Sequence, residues 1–187
     1  TDELTYSVAL PWDDPRATGG VLDSYRRLSE GLLAGLRALG AEVGQATGHR
    51  KPADELTPVC FETPSDYEIT VGGRKLVGSA QWRGRGGVLQ HGSLPLYGDL
   101  GRIVDCLTFT EAGREQQRRT VRERAATLQD ALGRVVPFAQ AAQALAVGFG
   151  RALEVTLVRG ELTERERALA ADLRRERYTE TLWTRSA

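Results

Sequence analysis

Tyr67-Glu68-Ile69-Thr70-Val71-Gly72-Gly73-Arg74-Lys75-Leu76-Val77-Gly78-Ser79-Ala80-Gln81-Trp82 is the stretch that decides the fold of this chain. Two β-prone runs flank Gly72-Gly73, a pair that takes positive φ without a Cβ penalty, so the spacing predicts a hairpin of residues 67–71 and 75–82. A second glycine-rich bend, Gly84 to Gly87, leads into Val88-Leu89-Gln90-His91-Gly92-Ser93-Leu94-Pro95-Leu96, which makes a meander of three strands. Upstream, Tyr6, Val8 and Leu10 alternate with Thr5, Ser7 and Ala9, a strand with one buried face. Strict alternation along the return strand puts Lys75, Val77, Ser79 and Gln81 on one face and Leu76, Gly78, Ala80 and Trp82 on the other. Same-face neighbours stand about 6.8 Å apart, so an ammonium, a hydroxyl and an amide would line a single edge.

Helices surround this meander. Val21, Leu22, Tyr25, Leu28, Leu32, Leu36 and Leu39 recur at three or four, which predicts an amphipathic helix over 20–39 stopped by Gly40. Residues 44–58 read as a polar loop. A charged helix is expected over 113–132 with Val121, Ala125, Leu128 and Leu132 buried, and another begins at Pro137 and runs through Phe149. Leu153 to Val158 reads as a short strand. Thr163, with Glu166 at capping-box spacing, opens a last helix to about Tyr178. The fold class is therefore α+β, a mixed or antiparallel sheet flanked by helices, in a single domain spanning residues 1–187.

Composition narrows the function classes. Hydrophobic residues make up 41% and charged residues 27% of 187, as in ordinary soluble domains, and the net charge is zero. No basic footprint points to nucleic acid, and no apolar run is long enough to span a membrane. Two cysteines without a spaced His/Cys set give neither a zinc site nor a disulfide framework, so a reduced, cytoplasmic protein is expected.

Three residues could carry chemistry. Cys60 lies between Pro58 and Pro64 rather than in a periodic apolar run, where Lys75, Arg74 or His91 could lower its thiol pKa; buried packing is the ordinary role of a free cysteine. Cys106, in Ile103-Val104-Asp105-Cys106-Leu107, reads as core. Lys75 is either a solvated lysine after a turn or one end of a slot over Gly78, since a mid-strand glycine marks close approach by a ligand or by a packed helix. His91 reads first as a satisfied core histidine and second as a base. Neither Ser79 nor Ser93 sits in a nucleophile elbow.

Cys60-Phe61 with Pro64-Ser65-x-Tyr67-Glu68, then Gly73-Arg74-Lys75-Leu76-Val77-Gly78-Ser79-Ala80-Gln81, then Leu89-Gln90-His91-Gly92-Ser93, resembles the lipoate–protein ligase and octanoyltransferase family, whose catalytic domain is biotin/lipoate ligase-like. Glu3 to Val8 and Tyr25-Arg26-x-Leu28-Ser29-x-Gly31-Leu32-Leu33 resemble it too. Cys60-Phe61 before Pro64-Ser65 looks like the cysteine-dependent branch, whereas the ATP-dependent ligases usually carry a Gly-Arg-Asn-Asp-like segment there. The resemblance implies Cys60 as nucleophile and Lys75 as the residue contacting the acyl carbonyl. It implies Gly73, Gly78, Ser79, Ala80, Gln81, His91 and Gly92 as substrate-binding residues.

The implied reaction moves octanoyl from acyl carrier protein to a lysine of a lipoyl-domain acceptor, such as the glycine cleavage H protein or a 2-oxoacid dehydrogenase E2 subunit, with no cofactor. ATP and Mg2+ enter only in the alternative, a lipoate–protein ligase. A non-catalytic lipoyl-domain-binding subunit is a third reading. The family also carries an Arg-Arg-x-x-Gly-Gly segment ending in histidine, upstream of the equivalent of Thr1, so the resemblance implies a catalytic domain lacking its N-terminal part.

Overall fold

A Gly72-Gly73 turn with φ of 54° and 77° joins β3 (Ile69–Val71) to β4 (Arg74–Gly84), as the sequence predicts. The structure is a computed structural model that describes residues 3–46, 68–84 and 86–179. β5 (Gly87–Pro95) returns antiparallel along β4, β1 (Glu3–Pro11) pairs antiparallel with β5, and the two-residue β2 (Gly44–Gln45) adds to β3. The sheet order is β1-β5-β4-β3-β2. β2 falls inside the expected polar loop, where only two residues pair.

Helix α1 (Val21–Ala38) covers one face of the sheet. The Asp23 carboxylate accepts from the Gly20 amide at 2.9 Å at its N-terminus, and the expected apolar stripe buries Leu28, Leu32 and Leu36, joined by Leu33, to 2% exposure or less, whereas Val21 and Leu22 in the first turn are exposed. Each is worth roughly 1.5–3 kcal/mol over an exposed position. α4 (Phe138–Ala152) packs along α1, with Pro137 as its N-cap rather than inside its first turn. The two helices approach through glycines: a Cβ on Gly148 would run into the Gly31 carbonyl and the Gly35 backbone nitrogen. Gly148→Ala should therefore lower stability by about 1–3 kcal/mol through overpacking, read as a fall in thermal midpoint.

Three local expectations are corrected. The expected helix over 113–132 is two helices, α2 (Glu111–Arg124) and α3 (Leu128–Leu132). Between them Ala125 bridges Lys75 and the Ala126 amide donates to the Lys75 carbonyl at 2.9 Å, so the chain leaves helical geometry to join the sheet. Thr127 and Asp130 then form the capping box of α3. Val121, Ala125 and Leu128 are buried as expected, and Leu132 is half-buried.

Leu153–Val158 is not a strand: Glu154 has φ of 52°, a left-handed conformation that breaks extension, and Val158 is exposed. Cys106 is exposed rather than core. It ends a 3-10 helix, Leu100–Cys106, whose three-residue period turns Gly101 and Val104 inward and carries Cys106 outward.

Residues 1–155 form one compact unit and residues 156–187 a second. The second contains α5 (Glu164–Leu173), opened by the expected Thr163–Glu166 capping box and continued by a π-turn, Arg174–Tyr178. Among the described residues, no helix is long and apolar enough to cross a membrane.

Candidate functional site

The geometry of the site turns on one extra residue in β4. Thr70 pairs with Lys75 and Ile69 pairs with Val77, so β4 advances two residues while β3 advances one. Leu76 is the bulged residue. Ile69 and Thr70 point to opposite faces, and so therefore do Val77 and Lys75. Burial agrees: the consecutive Leu76 and Val77 both enter the apolar core with Ile69.

The bulge corrects the expected edge. Lys75 does not share a face with Val77, Ser79 and Gln81; it lies on the face of Gly78, Ala80 and Trp82. Glu68, two residues before Thr70, is on that same face and comes level with Gly78. The Lys75 Nζ meets the Glu68 Oε1 at 2.7 Å, and the two residues are only 3% and 4% exposed. This is an ion pair withdrawn from water, whose removal of one partner would be costly.

Beyond this pair the face opens in rows set by the β1–β5–β4 register. Gly78 stands beside Ser93 and Thr5, Ala80 beside His91 and Ser7, and Trp82 beside Leu89 and Ala9. Ala80 and His91 are exposed, so His91 is not the core histidine that its sequence context suggests; period-2 alternation turns Gln90 inward and His91 outward. The result is a surface whose β4 floor is Gly78 and Ala80, with His91 beside Ala80, the Lys75–Glu68 pair at one end and an indole at the other.

The opposite face of the same strands holds a buried polar chain. The Tyr6 and Ser79 hydroxyls share a 2.7 Å hydrogen bond, the Gln90 amide donates to Tyr6 at 3.3 Å, and the Gln81 amide donates to the Gln90 carbonyl oxygen at 3.1 Å. Ser24 and Arg83 donate to the Gln81 oxygen, and Arg83 also reaches the carbonyls of Ala17 and Gly19. Gly92 makes this chain fit, since a Cβ there would strike the Gly78 carbonyl and come within 2.8 Å of the Ser79 Oγ. Burial pushes the Tyr6 phenol above its ordinary pKa despite its hydrogen bonds. Burial, followed by the charge of Glu68, does the same to Tyr25, whose hydroxyl donates to the Ser79 carbonyl at 3.4 Å.

The sequence-derived candidates thus divide. Lys75, Gly78, Ala80 and His91 come together on the exposed face. Ser79, Gln81 and Gly92 build the buried chain behind it, and Gly73 forms the hairpin turn. Cys60 lies outside the described residues. Glu68 stands in the motif with no role implied by the resemblance, yet the Gly72-Gly73 turn already makes it a diagonal, same-face neighbour of Lys75.

Residues 1–150 match the family model described as the lipoyl protein ligase A/B catalytic domain. The chain is 42% identical over 181 residues to a protein named octanoyltransferase LipM from Symbiobacterium thermophilum, a match covering 94% of the chain and 65% of that protein. It is 38% identical over 182 residues to octanoyltransferase LipM of Carboxydothermus hydrogenoformans, covering 97% of the chain and 67% of the relative. The chain therefore spans about two thirds of the length of these curated relatives. A solved bi-partite lipoate protein ligase from Thermoplasma acidophilum superposes with a TM-score of 0.76 at 23% identity, over 97% of the chain and 63% of that structure. The expected fold is borne out. On the matched domain and on this arrangement of strands, the chain belongs to the lipoyl protein ligase A/B catalytic domain family.

Proposed function

We propose that the protein is an octanoyltransferase of lipoate biosynthesis, taking octanoyl from acyl carrier protein to a lysine of a lipoyl-domain protein through a thioester on Cys60. The observation that carries this reading is the buried Lys75–Glu68 pair at the head of a face floored by Gly78 and Ala80. The names of its relatives, octanoyltransferase LipM, support it as well.

The Cys60 thiolate attacks the carbonyl of the octanoyl thioester on the carrier. A new C–S bond forms, and the carrier leaves as its free thiol after taking a proton. The acceptor lysine amine then attacks the Cys60 thioester; the amide forms, the amine loses a proton, and the cysteine thiol is restored. In both steps charge collects on the carbonyl oxygen, where the Lys75 ammonium stabilises the transition state more than the ground state. The hold of Glu68 on the ammonium fixes its position beforehand. The donor is already activated as a thioester, so the transfer requires neither ATP nor a metal. A cytoplasmic setting, where carrier and acceptor proteins meet, goes with this reading.

The test is transfer from octanoyl carrier protein to an isolated lipoyl domain, followed by the mass of the acceptor, in reactions with and without ATP and Mg2+. Acceptor octanoylation that is unchanged on omitting ATP is expected. Acceptor modification that requires lipoate and ATP and releases pyrophosphate would replace this reading with a lipoate–protein ligase. Tight acceptor binding with no modification under either condition would replace it with a non-catalytic subunit.

A further inference from the structure

We infer that Trp82, with its cross-strand partner Leu89, sets the length of acyl chain the protein accepts by walling off the far end of the small-residue floor; this rests on the octanoyl-transfer reading above. The two side chains stand directly opposite each other, on the same face as Lys75, Gly78 and Ala80, and both are exposed. Trp82 is the first bulky side chain on this face along β4 beyond Gly78 and Ala80; on β5, Leu89 follows His91, which stands beside Ala80.

The indole has a built seat. It leans over Gly84, where a Cβ would come within 2.6 Å of the ring, so glycine at that position leaves the indole its place. The distances fit eight carbons. From Gly78 to Trp82 the strand rises about 13 Å at about 3.3 Å per residue. An extended octanoyl chain advances about 9 Å over its seven C–C bonds of about 1.5 Å each in a zigzag. Its terminal methyl keeps a contact distance of about 4 Å from the root of the Trp82 side chain, which brings the sum to about 13 Å. A chain with carbonyl at the Lys75 ammonium and methyl against Trp82 fills the floor; two or four further carbons run into the Trp82 side chain.

The experiment compares octanoyl, decanoyl and dodecanoyl carrier proteins as donors to one lipoyl domain, using the full-length protein and its Trp82→Ala, Trp82→Phe and Leu89→Ala variants. The reading is the ratio of dodecanoyl to octanoyl kcat/KM within each protein, which is insensitive to the fraction folded. One methylene in an apolar site is worth about tenfold or more, so Trp82→Ala should raise the ratio at least tenfold, with Leu89→Ala and Trp82→Phe rising less. Ratios within about twofold of wild type in both alanine variants, while the wild type transfers octanoyl, would overturn the wall and leave the transferase reading standing. A wild type that transfers no octanoyl would overturn the transferase reading itself, and the wall with it.

Discussion

Lys75→Met should lower octanoyl transfer by at least 100- to 1,000-fold in kcat, the loss that follows removal of one preorganised donor to a developing oxyanion. Methionine keeps the length and apolar stem of lysine, so what disappears is the ammonium. Single-turnover measurement of acyl-enzyme formation and of transfer to the acceptor should show both steps slowed, because both pass through a carbonyl oxygen that gains charge. Unchanged single-turnover rates in a folded Lys75→Met protein would remove Lys75 from the chemistry.

Glu68→Leu carries the second large effect, and it falls on stability. With Lys75 and Glu68 only 3% and 4% exposed, deleting the carboxylate takes the partner at 2.7 Å away from a cation in an environment that excludes water. Breaking a buried pair from one side costs about 3–5 kcal/mol. In a protein of this size each kcal/mol moves the midpoint by about 2–4 °C, so a fall of roughly 10 °C or more is expected by differential scanning calorimetry. The double variant Lys75→Met with Glu68→Leu replaces both charges by apolar groups and should recover most of that loss. It should not recover activity. This split separates the part Glu68 plays in holding the fold from the part proposed for Lys75 in the reaction; a double variant as unstable as the single one would refute the pairing as the source of the cost.

Much of this arrangement was legible in the residues. The leucine spacing of α1, the alternation of β1 and the Gly72-Gly73 turn each fix a local structure that tertiary packing then confirms. The bulge was not legible, because consecutive Leu76 and Val77 suit a regular strand buried on both faces as well as a bulged one. That single extra residue moves Lys75 from the company of Ser79 and Gln81 to that of Gly78, Ala80 and His91, so the site predicted from alternation was assembled on the wrong face. The break after α2 did leave a sign. Thr127-x-x-Asp130 is a helix start in the middle of a run read as one helix, and the capping box outweighed the charged periodicity around it. Leu153 to Val158 shows the reverse error: β-branched residues suggested a strand, but the left-handed Glu154 and the exposed Val158 leave it without a sheet partner.

In the proposed reading, Cys60 is the residue on which transferase and ligase diverge. Its proposed role rests on the motif around it and on Lys75, whose electrostatics would favour a thiolate close by. The most direct measurement is intact-protein mass spectrometry after mixing the full-length protein with octanoyl carrier protein alone, followed by peptide mapping. One octanoyl group is expected, labile to hydroxylamine and located on Cys60, and it disappears when a lipoyl domain is added. Full octanoylation of the acceptor by a Cys60→Ala variant, at the wild-type rate, would contradict it.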